Sequence, residues 1–460
     1  MNVKTGKIHK KEVNMLSGSI MKGLFSIAIP IMIMNVAMSL FNVVDMSILK
    51  MFDSSGGYAV GAVGACGTLI SLITGLLIGC SAGANVVIAK YIGMGDKERV
   101  EKATGVSILF ALIGGIVLAV LGVSCAEIFL GWMNCPESLL KDAALYFRLY
   151  FAGIPILMVY NFCAAVLRSA GDSRRPMFYL ILGSAVKLGF NFLFVAGLKM
   201  TVQGVAYATL ISWAVMAFFG LRTLLTNDGV IKLKLSRIRF YGAELKEILI
   251  VGVPAGLQQA LYSIANVIIT ATVNSFGPDA TTGISIANNF DNILYQISTA
   301  PALAVMPYVS QNIGHGNVKR ARRVVLNGLI MTTALGATFG ALSAIFSAQL
   351  SSLMSSNSAV IAYSQQKMII ISSTYFICGI NDIFGGAMRG MGRPNLPTIA
   401  TLVYMCFFRF VWVYLVFPLF PNLTFLYLVW PIGWILSIVT LLPFYFRTFK
   451  RLEAEHRLSV

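Results

Sequence analysis

The sequence predicts an all-α membrane protein with twelve transmembrane helices in two pseudo-symmetric six-helix bundles, a parallel internal repeat. Three observations predict it. Apolar runs recur along all 460 residues, 57% of which are hydrophobic and only 12% charged, with a mean hydropathy of +0.79; about 20 apolar residues take a helix across the hydrocarbon core. The basic residues gather on alternate connections, as they do on one membrane face. Short motifs of the first half recur in the second at a nearly constant offset, each at the same place relative to its span.

In chain order, a polar, basic tail (1–19) precedes the first span at about 22–50. It lacks a short apolar core with a small-residue cleavage site, which argues against a cleavable signal peptide. Further spans follow at about 58–88, 103–130, 142–167, 177–198 and 203–225. A basic connection, 226–247, carries Lys232, Lys234, Arg237, Arg239 and Lys246. Beyond it lie spans at about 248–276, 280–309, 324–347, 360–387, 397–420 and 424–446, then a tail, 448–460. The bundles are therefore expected at 20–225 and 248–447.

With the N-terminus placed in the cytoplasm, about 28 of the 35 Lys and Arg fall on that side. Lys50, Lys141, Arg148, Lys199 and Lys367 count with the opposite loops, and Lys187 and Arg409 lie within spans. The chain reads as a multi-pass protein of the inner membrane with both termini cytoplasmic. Its net charge of +17 is then a topology signal that meets lipid headgroups, and no nucleic-acid partner is expected.

The duplication is direct. Ile92-Gly93-Met94-Gly95-Asp96 after span 2 returns as Ile313-Gly314-His315-Gly316-Asn317 after span 8, and Arg168-Ser169-Ala170-Gly171 returns at the same offset as Arg389-Gly390-Met391-Gly392. Pro30 and Pro254 are related by a slightly longer offset, which Asn42 and Asn266 share. Six spans per half is an even number, so both halves enter from the same side and the repeat is parallel. A proline within a span removes a backbone hydrogen bond and marks a helix bend.

Several chemistries are excluded. Cys66, Cys80, Cys125, Cys135, Cys163, Cys378 and Cys406 stand singly, and His9, His315 and His456 fall in loops or tails, so neither a metal site nor another cofactor is expected. No Gly-x-x-x-x-Gly-Lys-Ser/Thr sequence supports an ATP-driven pump. No Asp-x-x-x-Asp motif supports a prenyl transferase, and the chain does not read as an enzyme.

Polar residues inside the spans carry the functional signal. Asn35, Ser39, Asn42 and Asp45 step by 4, 3 and 3 residues along one face of span 1. A carboxylate within a span is a functional candidate by default; the bland alternative is that Asp45 reaches the interface. Asn191 on span 5 and Thr209 on span 6 share its depth, roughly 10 Å beneath the outer surface, and Lys187 lies one turn deeper than Asn191 on the same helix face. Asp45 and Lys187 read as an ion pair, either a switch or a static bridge. In the second half, Gln258 or Gln259, Tyr262, Asn266 and Thr270 share a face of span 7, and Asn288, Asp291, Asn292 and Tyr295 a face of span 8. Asp291 and Arg409 lie at one depth and are expected to pair, as a static bridge or in a substrate role. Asp382 is expected to reach the cytoplasmic interface. Met32, Met34, Met38, Phe41, Tyr160, Phe162 and Tyr295 are candidate cleft linings.

The order, spacing and duplication of these features make a resemblance specific. Pro30 with Asp45, the two Gly-x-Gly loops including Gln311-Asn312, the Arg-Ser-Ala-Gly-Asp and Arg-Gly-Met-Gly loops, and Gly204-Val205-Ala206-Tyr207-Ala208-Thr209 together resemble multidrug and toxic compound extrusion (MATE) transporters from about Ser19 to Arg447. The resemblance implies a monomeric secondary antiporter whose bundles flank a central cleft and rock to export amphipathic, often cationic, organic compounds. Asp45 and Thr209 match the span-1 Asp and span-6 Thr implicated in coupling among bacterial and archaeal relatives. Their Asn and Asp on span 5 correspond here to Lys187 and Asn191, so an ammonium stands where a coupling sodium ion would sit and a proton is the expected coupling ion. The expected coupling site is then Asp45, Lys187, Asn191 and Thr209. The expected substrate cleft draws on Asn35, Met38, Asn42, Gln259, Tyr262, Asn266, Asn288, Asp291, Tyr295 and Arg409. The competing reading is a lipid-linked oligosaccharide flippase of the same superfamily, for which Lys187 and Arg409 offer the only intramembrane cations.

Overall fold

A computed structural model describes residues 13–52, 58–132 and 137–459. Its helices are α1 (Ile20–Phe52), α2 (Tyr58–Met94), α3 (Lys97–Ser124), α4 (Ala126–Trp132), α5 (Glu137–Ala152), α6 (Ile154–Ser169), α7 (Arg174–Asn191), α8 (Val202–Thr226), α9 (Gly242–Asn274), α10 (Pro278–Gly314), α11 (Val318–Ile345), α12 (Ser347–Ser352), α13 (Ser358–Ser372), α14 (Tyr375–Gly390), α15 (Asn395–Thr401), α16 (Phe408–Val411), α17 (Leu423–Tyr427) and α18 (Val429–Ser459). π-Helical turns occupy Phe192–Gly197, Leu402–Phe407 and Trp412–Val416.

Among the described residues eight helical segments are long and apolar enough to cross a membrane, and the bent pairs α5–α6 and α13–α14 bring the number to ten. α9 and α10, of 33 and 37 residues, complete the twelve; these are the two spans of the second half whose polar faces the sequence singles out. Spans 4 and 10 each bend by 44°. The chemistry of the bend differs between the halves. In span 4, Pro155 supplies no N–H at the start of α6. In span 10 the hydroxyls of Ser373 and Thr374 donate back to the carbonyls of Ile369 and Ile370 at 2.6 and 3.0 Å, a competition that bends helices.

The duplication is repeated in the helix starts. α3, α4, α5, α6, α7 and α8 begin at 97, 126, 137, 154, 174 and 202; α11, α12, α13, α14, α15 and α17 begin at 318, 347, 358, 375, 395 and 423, all displaced by one identical offset. The recurring loop motifs have one physical explanation. Gly95 and Gly316 hold φ at +73° and +79°, where a side chain is strained. The next amide in each case reaches back into the last turn of the helix, Asp96 N–H to Tyr91 O at 3.2 Å and Asn317 N–H to Asn312 O at 2.8 Å. The same Asp96 and Asn317 side chains cap the following helix, accepting from Arg99 N–H at 3.0 Å and Arg320 N–H at 3.1 Å. One short motif thus closes one helix and opens the next. Gly171 and Gly392 close α6 and α14 with the same left-handed turn.

Packing divides the described chain into two compact units, one built on 33–252 and the other on 14–32 with 253–459. The divisions fall inside α1 and α9, close to Pro30 and Pro254. In the first unit α9 begins tight against α2, where a Cβ on Gly83 would lie 2.2 Å from Ile248 O. The basic connection ahead of α9 is docked on α3 of the same unit. Lys234 Nζ meets the buried Glu101 at 2.7 Å and Arg237 lies 3.8 Å from Glu98 and Glu101. Tyr241 beside it, then those carboxylates, hold the Arg237 guanidinium above its ordinary range. These two cations are therefore engaged by protein, where lipid headgroups were expected. In the second unit Arg320 clasps the segment ahead of α1, its Nη2 donating to Ser17 O at 2.8 Å and Gly18 O at 3.0 Å and its Nε to Met15 O at 3.2 Å.

Candidate functional site

The first unit holds the expected coupling residues. α7 and α8 pack antiparallel: Gly183 faces Ser212 and Met216, and further along Phe194 and Val195 face Gly204. That register sets Lys187 and Asn191 at the level of Thr209. Lys187 is half-buried; Asn191 and Thr209 are buried, the threonine hydroxyl donating to Val205 O at 2.8 Å. A π-turn starts directly after Asn191. Such turns widen the helix and cluster at functional sites. The side chains of Asn42 and Asp45 lie outside the described residues. On the same helix Asn35 is half-buried and Met38 exposed. Tyr160 and Phe162, expected in a cleft lining, instead pack the interior of this unit: the Tyr160 hydroxyl donates to Pro176 O at 3.0 Å and Phe162 is fully buried.

The second unit contains a cavity of about 40 Å³ lined by Gln258, Gln259, Tyr262, Tyr295, Asn381 and Asp382, with Thr401, Met405, Cys378 and Trp434 completing its wall. That is room for a few waters or one small polar group. α9 supplies the glutamines and Tyr262, α10 supplies Tyr295, and α14 supplies Asp382. The rings of Tyr262 and Tyr295 stack with centroids 6.4 Å apart. Gln258 is fixed from both ends, donating to Thr401 Oγ1 at 2.7 Å and accepting from Arg389 Nη2 at 2.9 Å. Asp382 thus faces a polar cavity inside the unit, where the sequence reading sent it to the cytoplasmic interface. Its distance from the helix end does not give the side it faces.

Asp291 and Arg409 do not pair. Asp291, on α10, binds Lys367 Nζ of α13 at 2.8 Å, and both side chains are nearly inaccessible. Asn288, one turn earlier on α10, accepts a further hydrogen bond from the same ammonium. Lys367 was counted with the outer loops, yet it lies several residues inside the span drawn for it, and that position was the available signal. Arg409 turns the other way: its Nη1 donates to Asn266 Oδ1 at 2.6 Å, and its guanidinium lies over the rings of Tyr262 and Trp430 at 5.0 and 5.4 Å. Trp430, which no sequence argument raised, has the Lys367 ammonium 5.8 Å from its ring as well. Among the described residues no group of three or more His, Cys, Asp or Glu side chains is placed to hold a metal ion.

The MatE family model matches the chain twice, over residues 30–193 and 254–415. The chain belongs to the MatE family. The two matches begin at Pro30 and Pro254, so the family boundary coincides with the internal repeat. MatE proteins are membrane transporters, and the chain shares 26% identity over 392 residues with the probable multidrug resistance protein YoeA of Bacillus subtilis, covering 84% of each. It shares 25% identity with the probable multidrug resistance protein NorM of Thermotoga maritima, over 84% of this chain and 83% of that one. It shares 23% with the FAD transporter of Shewanella oneidensis, over 85% and 87%. Among solved structures, an outward-facing multidrug resistance MATE transporter superposes with a TM-score of 0.88 over 97% of this chain and all of that one, at 22% identity. The MATE structures described as bent and as straight score 0.88 and 0.87. Those likenesses establish the MatE fold of twelve helices in two repeats.

Proposed function

We propose that this MatE protein is a secondary active antiporter of the inner membrane, with cytoplasmic termini, that exports amphipathic and often cationic organic compounds by alternating access. One observation carries this reading: both copies of the family repeat keep ionisable side chains inside their spans, Lys187 in one and Asp291, Lys367, Asp382 and Arg409 in the other. Such groups are costly in hydrocarbon and are retained where ions or cargo pass. The aromatic faces of Tyr262 and Tyr295 beside Asp382 suit an organic cation. Relatives named for multidrug resistance support export of foreign compounds.

The proposed coupling ion is the proton, with Asp45 as acceptor and Lys187, Asn191 and Thr209 around it. A lysine at this level supplies a resident positive charge, so binding of sodium would work against it. The test is ethidium efflux from cells that express the protein. Wild type should extrude the dye, and Asp45→Asn should slow extrusion roughly tenfold or more. Undiminished efflux by that variant at equal membrane abundance would remove Asp45 from the mechanism.

A further inference from the structure

One cation in the second unit lacks a counter-charge. Arg409 is 0% exposed, Nη1 is committed to Asn266, and Nε and Nη2 have no hydrogen-bond partner. Among the described residues no carboxylate lies within 4.0 Å of it, and Asp291 is held by Lys367 at 2.8 Å. An unpaired guanidinium inside a span is costly, and its fork matches a planar carboxylate held by two parallel bonds. The two open nitrogens form the side of that fork. Nε–H and one Nη2–H point the same way, while Asn266 occupies the far end through Nη1.

The repeat says how this came about. α7 and α15 keep the constant offset between the halves, and the π-turn at Leu402–Phe407 then adds one position ahead of Arg409. Arg409 therefore falls at the station of Lys187. Trp430 falls at that of Thr209, by the same offset that relates α8 to α17. The station of Asp45 in α1, carried across by the offset of Pro30 and Pro254, is the buried Ile269. The second unit thus keeps the cation and replaces the acid with an alkyl group.

We propose that Arg409 anchors a carboxylate-binding site within the second unit, taking an organic anion side-on across Nε and Nη2 between the faces of Tyr262 and Trp430. Tyr262 is also a wall of the polar cavity, and Met405, one turn before Arg409, is another. Tyr262 thus borders both that cavity and the guanidinium. The site adds an anionic cargo class to the cation export proposed above and does not rest on proton coupling at Asp45.

The test is calorimetric titration of the purified full-length protein in detergent with benzoate, using benzylammonium and chloride as controls. Wild type should bind benzoate at one site. Arg409→Gln should weaken it at least tenfold, and Arg409→Lys, which keeps the charge but loses the fork, should fall between the two. Asn266→Asp places a resident carboxylate on the guanidinium; it should abolish benzoate binding and raise the thermal midpoint, which keeps the test decisive if Arg409→Gln does not fold. Benzoate binding unchanged in Asn266→Asp, or absent from folded wild type, overturns the proposal. Chloride binding that depends on Arg409 without benzoate binding overturns it too, because the site then takes an inorganic ion. Ethidium efflux by wild type, measured in parallel, separates failure of this site from failure of the export reading.

Discussion

Asp291 and Lys367 set the terms at the scale of single residues. Each charge is tolerable inside the second unit because the other is 2.8 Å away. Removing one partner of such a pair typically costs about 3–5 kcal/mol, whereas replacing both by neutral groups is often close to neutral. Lys367→Met and Asp291→Asn should therefore each lower the thermal midpoint markedly, and the double variant should recover most of the loss. Equal, additive losses would show that the two charges do not depend on each other. The sequence identified Asp291 as an intramembrane acid but chose the wrong partner for it. Counting residues from a span end gives depth, and depth made Arg409 a candidate; it does not give the face of the helix, which selected Lys367. Tyr160 and Phe162 failed for a related reason, since an aromatic residue on a span packs inward as readily as it lines a cleft.

Helices and loops were legible where local chemistry dictates them. The Gly-Asp and Gly-Asn motifs specify a left-handed residue that ends one helix and a cap that begins the next, so their duplication could be read directly. Gly95→Ala and Gly316→Ala should each destabilise by about 1–2 kcal/mol, the usual cost of a side chain in that backbone region, read as a lower thermal midpoint. The 44° bends were less accessible. Pro155 is a visible cause in span 4, but in span 10 serine and threonine do the same work, and these occur in straight helices as well. The π-turns left no signal. The clasp on the N-terminal segment also depends on tertiary structure, because Arg320 is remote in sequence from the carbonyls of Ser17 and Gly18 that it holds. Arg320→Ala should raise cleavage near Ser17 and Gly18 by limited proteolysis roughly tenfold, with α1 itself intact. Unchanged protection would mean that the burial of Met15 suffices to hold the segment.

At the scale of the whole molecule, composition and charge placement predicted the twelve-helix, two-repeat architecture, and the family match over both halves agrees with it. Hydropathy recovered ten of the spans among the described residues; α10 falls short because it carries one of the polar faces on which the functional reading depends. The units divide beside Pro30 and Pro254, which the sequence marked as bends but not as boundaries. The central claim is that the protein couples export of organic cations to proton entry. It is tested most directly in proteoliposomes loaded with ethidium, with a pH gradient and a sodium gradient imposed separately. The account predicts ethidium flux that follows the pH gradient, collapses when a proton–potassium exchanger dissipates it, and ignores sodium. Flux driven by the sodium gradient alone, and indifferent to pH, would contradict it.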